Sequence, residues 1–348
     1  MVNFGLITYP PLPRDGRVSR VELFQQTVRE AQTAENAGFT SFWVGEHHFH
    51  EHFAAIPHPL MFCAYAAAHT TTLRLGTAAI LPALHNPVRL AEDIAFADVL
   101  SNGRIEIGIG GGYSVEEFQG LGVPYGKRRE LAWSVVDRLL MALCEHRVPI
   151  ERPGAIAADV TVYPFSVQQP HPPISYCGYH RDSMLESLRR NLGFVFDPVC
   201  SLEKIVQKVA QYRELHAEIH DGASPQRVII CRPFFIHEDR ERARQLGYQA
   251  HQVYLDEFRR LAARENWVQS DPGRTVDPDQ MDVGDSFEDW TEKVALVGTP
   301  ADIIDRLAGL RRATGLTDLL LWYHPTPHET IKTAIRLFGR TVIPHFAG

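Results

Sequence analysis

Three features of the sequence predict an α/β protein whose strands close into a barrel. Short apolar runs alternate with longer amphipathic ones, mostly through short connections, which is the signature of parallel βαβ units. Eight of the apolar runs read as strands, and that count, joined by right-handed crossovers, favours a closed TIM (β/α)8 barrel over an open sheet. The third feature is the run Phe42-Trp43-Val44, which stops at Gly45. Glu46, His47, His48, His50, Glu51 and His52 follow within seven positions. A buried strand that empties into proton-transfer groups is how such barrels build active sites.

Taken in order, Phe4 to Thr8 reads as a strand, ended by Tyr9-Pro10-Pro11-Leu12-Pro13. Ser19 caps a helix to Ala37, with Val21, Phe24, Val28 and Ala31 on one face and Gly38 in the C′ position. Ser41 to Val44 is the second strand, Pro59 to His69 a helix, and Leu73 to Leu81 the third strand. Pro87 opens a helix to Leu100 that Asn102-Gly103 stops, and Arg104 to Ile109 is the fourth strand, running into Gly110-Gly111-Gly112-Tyr113. A helix covers about Arg128 to His146.

Residues 148–173 are rich in proline and contain an alternating piece, Val160 to Phe165; they read as an insertion, a hairpin, over the barrel mouth. Beyond it come strands at Ile174 to Cys177, Phe194 to Phe196, Val228 to Ile236 and Leu319 to Trp322. Helices cover Asp182 to Asn191, Leu202 to His220, Glu241 to Arg264, Pro300 to Thr314 behind the cap Thr299, and Glu329 to Phe338. Residues 265–290 are polar and acidic and read as a second insertion or lid at the C-terminal mouth. No repeat or linker divides the chain, so 1–348 reads as a single domain.

The net charge of -7, with no basic run, argues against nucleic acid and anionic membrane as partners. No apolar run is long enough to cross a bilayer, and the first residues lack the pattern of a signal peptide. The five cysteines are odd in number and widely spaced, as expected of reduced thiols in a cytoplasmic protein.

The histidine-rich segment admits three readings from its residues alone. It is a solvated turn; or a metal site, since His48-x-His50 and His50-x-His52 have ligand spacing; or an acid/base centre at His47 or His48, with Glu46 fixing a tautomer or a ligand. A hydrolytic metal site wants further ligands at later strand ends, and no convincing set presents itself, so no metal is assigned.

Five stretches in order carry a resemblance. Trp43-Val44-Gly45-Glu46-His47-His48-Phe49 resembles the strand-end signature of bacterial luciferase and the luciferase-like flavin monooxygenases. Gly76 to Pro82, Asn86 to Asp93, Ser101 to Gly108, and Val297-Gly298-Thr299-Pro300 with Arg340 to Pro344 resemble later parts of the same family's pattern. The resemblance implies a TIM barrel that binds reduced FMN, supplied by a separate flavin reductase, and uses dioxygen on a small organic substrate. It also implies a homodimer. It places His47 at the catalytic histidine and Glu46 beside the flavin, with His48 as a further catalytic candidate. It places Ala78-Ala79 at a position that often carries a non-proline cis peptide beneath the flavin, and Asn86 near the flavin edge.

One departure stands out. Where luciferases place a phosphate-binding arginine after the fourth strand, this chain has Gly110-Gly111-Gly112-Tyr113. The backbone of Gly111, Gly112 and Tyr113 is one expected contact. Arg181 and Ser183, at the start of a helix, are the other, since a helix N-terminus favours an anion and Arg181 supplies charge. Aromatic and apolar residues near strand ends (Phe49, Phe53, Tyr113, Trp322) point to an apolar or carbonyl-containing substrate. The rival readings are a deazaflavin-dependent oxidoreductase of the same superfamily, a non-catalytic flavin-binding relative and a metal-dependent barrel hydrolase.

Overall fold

The computed structural model describes residues 1–149, 159–196, 198, 200–223, 225, 227–264 and 286–347. The strands are β1 (Asn3–Thr8), β2 (Ser41–Val44), β3 (Arg74–Ile80), β4 (Ile105–Ile109), β5 (Arg147–Pro149), β6 (Asp159–Thr161), β7 (Ile174–Gly178), β8 (Gly193–Phe196), β9 (Ile229–Ile236), β10 (Leu296–Gly298) and β11 (Asp318–Trp322). The helices are α1 (Arg20–Asn36), α2 (Pro59–Ala67), α3 (Pro87–Leu100), α4 (Val115–Gly120), α5 (Arg128–Glu145), α6 (Arg181–Arg189), α7 (Leu202–Ile219), α8 (Arg240–Arg264), α9 (Phe287–Lys293), α10 (Pro300–Thr314) and α11 (His328–Thr341).

Strands β1, β2, β3, β4, β7, β8, β9 and β11 pair in parallel in that order, and β11 pairs back onto β1. The result is a closed eight-stranded TIM barrel with helices outside, and all eight strands expected from the sequence are in it. Short β10 lies beside the C-terminal half of β9, Leu296 opposite Phe234. The lumen is filled by Ile7, Trp43, Ala78, Val195, Ile229, Cys231 and Leu320. Trp43 is the largest of these; its indole N–H donates to Ser41 Oγ at 2.8 Å, and its ring lies where a Cβ on Gly76 would sit, 2.1 Å away. A glycine at 76 is therefore a condition for tryptophan at 43.

Several sequence signals act as read. Ser19 caps α1 by accepting from Glu22 N, and Thr299 and Asp302 form a reciprocal capping box on α10. Gly38 has φ +87°, as its C′ position requires. Arg104, in the turn before β4, ties three segments together: its guanidinium donates to the carbonyls of Ala67, Leu73 and Ser101 and to Thr70 Oγ1. On α1, Val28 and Ala31 are buried, but Val21 is 67% exposed; the buried stripe runs instead through Leu23, Thr27, Glu30 and Ala34.

The insertion at 148–173 is not at the mouth. Strands β5 and β6 pair as an antiparallel hairpin, as expected, but the chain reaches it from the end of α5 and leaves it into the start of β7. Both points are at the N-terminal side of the barrel. Gln168 accordingly bonds Asp98 at the end of α3, the Ile105 carbonyl and Arg74 at the start of β3. Most of the second insertion, 265–285, lies outside the described residues.

The same side of the barrel carries a charge network. Arg227, just before β9, donates to Asp318 on β11 at 2.8 Å and to Glu106 on β4 at 2.9 Å; Glu106 also accepts from Arg74, and Asn3 donates to Asp318. Glu106 and Asp318 are 4% and 5% exposed. The two carboxylates hold the Arg227 guanidinium even more firmly charged than usual, against the opposing effect of burial. Removing one partner of a buried pair strands the other charge in a poor solvent for it. Arg227→Met should therefore lower unfolding free energy by about 1–2 kcal/mol, less than for a fully buried pair, because the guanidinium is 38% exposed to screening solvent and Arg74 still reaches Glu106. Denaturant unfolding measures it; a variant as stable as the parent would show the network to be dispensable.

Candidate active site at the barrel mouth

The mouth is organised by the end of β2. Gly45 has no alternative residue, because a Cβ there would lie 2.2 Å from the Tyr9 ring and 2.7 Å from the Ala78 carbonyl. The next residue, Glu46, is 2% exposed. Its carboxylate accepts from His48 Nε2 at 2.9 Å, from His85 Nε2 at 2.9 Å and from the Leu81 amide at 2.9 Å. Burial opposes its charge, yet the bonds from His48, His85 and Leu81 hold the carboxyl below its usual range. Burial likewise pulls the His85 imidazole down, and Glu46 more than reverses this, so His85 protonates more readily than a free histidine. With both oxygens engaged, Glu46 shapes the site. His85 was not singled out in the sequence, where it is one histidine in a loop.

Beside Glu46 the backbone makes an unusual turn. The Ala78–Ala79 peptide is cis, at the place the family resemblance marked. Tyr9 donates its hydroxyl to the Ala78 carbonyl at 2.7 Å, and the Glu46 amide donates to the Ala79 carbonyl at 3.2 Å. Pairing of β3 with β4 changes register between Thr77 and Ile80, and Thr77 Oγ1 bridges the break by exchanging hydrogen bonds with Gly108. Gly110 follows at once, its amide bonded to the Ile80 carbonyl.

His47 is 8% exposed. Its Nδ1 lies 2.9 Å from Glu117 Oε1, and the same oxygen accepts the His48 amide at 2.8 Å. Glu117 is 1% exposed and, as a carboxylate, only accepts. The Nδ1 of His47 is therefore the protonated nitrogen, and Nε2 is left as the acceptor, 3.5 Å from the Tyr113 hydroxyl. Rings of Tyr9, Phe53 and Tyr113 stand edge-on to the imidazole at 5.3–5.7 Å. Glu117 belongs to α4, a helix that hydrophobic periodicity misses because it is so short. Its signal was the pattern Ser114-x-x-Glu117: Ser114 caps α4 by accepting from the Glu117 amide.

The other histidines of the segment do not gather. His48 goes to Glu46, His50 lies 3.4 Å from Glu116 Oε2, and His52 bonds the Leu12 carbonyl. Among the described residues, no three His, Cys, Asp or Glu side chains are placed to hold a metal ion. Phe49 is turned outward, 52% exposed, over Gly120.

Gly111 faces Tyr176 on β7, and Gly112 has φ +70°. Burial pushes the Tyr176 hydroxyl above its usual pKa; a hydrogen bond with Ser183 and the nearby charges of Arg129 and Arg128 act the other way. Gly111, Tyr176, Ser183 and the two arginines thus form one neighbourhood, which the sequence reading reached only through Gly111 and Ser183. Arg181 is exposed in the first turn of α6. Asn86 uses its side-chain oxygen to cap α3, accepting from Val88 and Arg89 amides.

The sequence profile described as luciferase-like monooxygenase matches residues 3–318. An alkanal monooxygenase alpha chain from the Kryptophanaron alfredi symbiont is 25% identical, over 99% of this chain and 98% of its own. The oxygenase component of a flavin-dependent trigonelline monooxygenase from Acinetobacter baylyi is 22% identical, over 99% and 96%. The crystal structure of monooxygenase RslO1 from Streptomyces bottropensis superposes with a TM-score of 0.82, at 25% identity, covering 99% of this chain and 100% of that one. With the profile spanning nearly the whole barrel, the chain belongs to the luciferase-like monooxygenase family.

Proposed function

We propose that this protein is a monooxygenase that binds reduced FMN at the β3–β4 side of the mouth and uses dioxygen to oxidise a small organic substrate, apolar or carbonyl-bearing, beside His47. The observation that carries the reading is the Glu117–His47 pair, a buried carboxylate that leaves one imidazole nitrogen basic at the mouth of a barrel of this family. Reduced FMN would come from a separate reductase, as the name of the related oxygenase component implies for that protein.

The residues present fit a flavin. Ala79, Gly110 and Gly111 make a surface nearly free of side chains: a Cβ on Gly110 would lie 3.0 Å from Ala79 Cβ, and one on Gly111 3.0 Å from the Tyr176 hydroxyl. A planar ring can lie close to such backbone. At one edge, Ser183, Arg181 and the first turn of α6 suit a phosphate, with the charges of Arg128 and Arg129 nearby. A bound reduced flavin would supply the electrons that activate dioxygen. The chain's own share is positioning, proton handling and dryness. Glu117 fixes the His47 ring and its tautomer; His47 Nε2 takes a proton or returns it; Tyr113 lies within reach of that nitrogen. Tyr9, Phe53 and Tyr113 keep water from the reacting centre.

Five outcomes are expected. In anaerobic titrations the protein should bind reduced FMN much more tightly than the deazaflavin coenzyme; equal or reversed affinity would remove the monooxygenase reading. Arg181→Ala should weaken FMN by the worth of a charge-assisted bond, about 1.5–3 kcal/mol, and leave riboflavin nearly unchanged. An equal loss for both ligands would show that Arg181 does not meet the phosphate. Finally, His47→Ala should keep FMN affinity and lose about 100- to 10,000-fold in product formation with dioxygen. Glu117→Gln, which no longer dictates the tautomer, should lose roughly 10- to 100-fold, as a charge-assisted bond of about 1.5–3 kcal/mol implies. The double variant should be no slower than His47→Ala, since Glu117 acts through His47. Additive losses would show that the two act separately.

A further inference from the structure

A second group of polar atoms lies at the rim, and the chemistry of His47 does not use it. His251 on α8 and His324, just after β11, face each other with Nδ1 atoms 3.3 Å apart and rings stacked at 5.2 Å. One Nδ1 must donate and the other accept, so the pair shares a single proton between those atoms. That leaves His324 Nε2, which is buried and has no hydrogen-bond partner among the described residues, in a side chain 5% exposed. An unmet buried polar atom is destabilising, so its persistence calls for an explanation.

The imidazole is wedged between Tyr254, Trp322 and Trp290, with ring centroids at 4.6, 4.4 and 5.4 Å. It lines a narrow, partly open cleft with about 10 Å³ of space, room for a single water-sized group, whose other walls include Pro233, Phe235, Ala250, Trp290 and Val297. That is far below the roughly 300–1,000 Å³ of pockets that enclose a whole ligand, so it takes no more than one oxygen at the end of a molecule. Among the described residues, no carboxylate or cation lines it. Burial lowers the pKa of His251 to about 4 and that of His324 well below the ordinary value, with charge from Arg259 and from the partner ring adding to the effect. Both rings are neutral near neutral pH, and a neutral nitrogen in an apolar cleft selects an uncharged partner.

We propose that His324 and this cleft form a ligand subsite for an uncharged oxygen, a hydroxyl or carbonyl, carried on an apolar ring-bearing body. Rings connect it to the first site: His47 to Phe53 at 5.3 Å, Phe53 to Tyr254 at 5.9 Å, Tyr254 to His324 at 4.6 Å. Only the identity of that ligand as the substrate rests on the proposed function: such a molecule would carry one oxygen at His324 and its reacting carbon near His47.

The test uses the full chain without flavin, so that failure of the flavin reading leaves it intact. Phenol and toluene share a shape and differ in the hydroxyl. By calorimetric titration, phenol should bind about 2- to 10-fold more tightly than toluene, the worth of one neutral hydrogen bond. In protein carrying ¹⁵N-histidine, phenol and not toluene should shift one Nε2 resonance. His324→Phe should lose that resonance and the preference. Equal binding of the two probes, a preference that survives His324→Phe, or no binding of either, the cleft then holding solvent alone, would overturn the subsite. If His324→Phe fails to fold, the wild-type shift decides, with His324→Gln assigning it.

Discussion

One buried carboxylate sets the geometry of the mouth. Glu46 sits where water cannot solvate it, and a charge in that position persists only if donors converge on it. Three do: two imidazoles and the Leu81 amide, from the chain just after β2, the turn after β3 and the approach to α3. Because each donor comes from a different stretch, the carboxylate fixes their relative positions. The Ala78–Ala79 peptide, the Gly45 turn and the placement of His47 all lie within one or two residues of this knot. The backbone follows suit, with the Glu46 amide bonded to Ala79 and the His47 amide to Ile56.

Much of this was legible in the sequence. The eight barrel strands, the caps at Ser19 and Thr299, and the strand run ending at Gly45 are local signals, set by periodicity and by residues that satisfy helix ends. The cis peptide at Ala78–Ala79 came from resemblance; nothing in two alanines announces it. What escaped was mostly non-local. Glu117 lies 70 positions from His47, and only closure of the barrel brings α4 over β2. His85 reaches Glu46 across 39 positions. The proline-rich hairpin was placed on the wrong side because composition says loop without saying which end of the barrel. Chain direction settles it, since a helix in a βαβ unit returns the chain to the start of the next strand. Val21 was misassigned because the buried stripe of α1 includes Thr27, Glu30 and Thr33, polar residues that satisfy themselves locally or with partners such as Tyr323 and His328.

The arginine expected after β4 illustrates a more general point. A phosphate needs charge at a place and is indifferent to the segment that supplies it. Glycines at 110–112 leave the backbone near Ala79 and Tyr176 uncovered, while Arg128 and Arg129 approach Tyr176 from the start of α5 and Arg181 stands at α6. Reading the family pattern position by position registers a loss; in three dimensions the positive charge has several neighbouring sources.

The two walls of the mouth come from different halves of the chain. Among the described residues, the groups proposed to hold or handle a proton around His47 lie between residues 9 and 117, while Tyr254, His251, Trp322 and His324 come from α8 and the end of β11. Ring contacts through Phe53 and Tyr9 join them, together with the exposed Arg14–Glu257 ion pair. On the proposed function, descendants of such a barrel can redraw what they recognise by altering α8 and the end of β11, while inheriting the reaction intact. Diversification within one scaffold then requires no new catalyst, only a new neighbour for an old one.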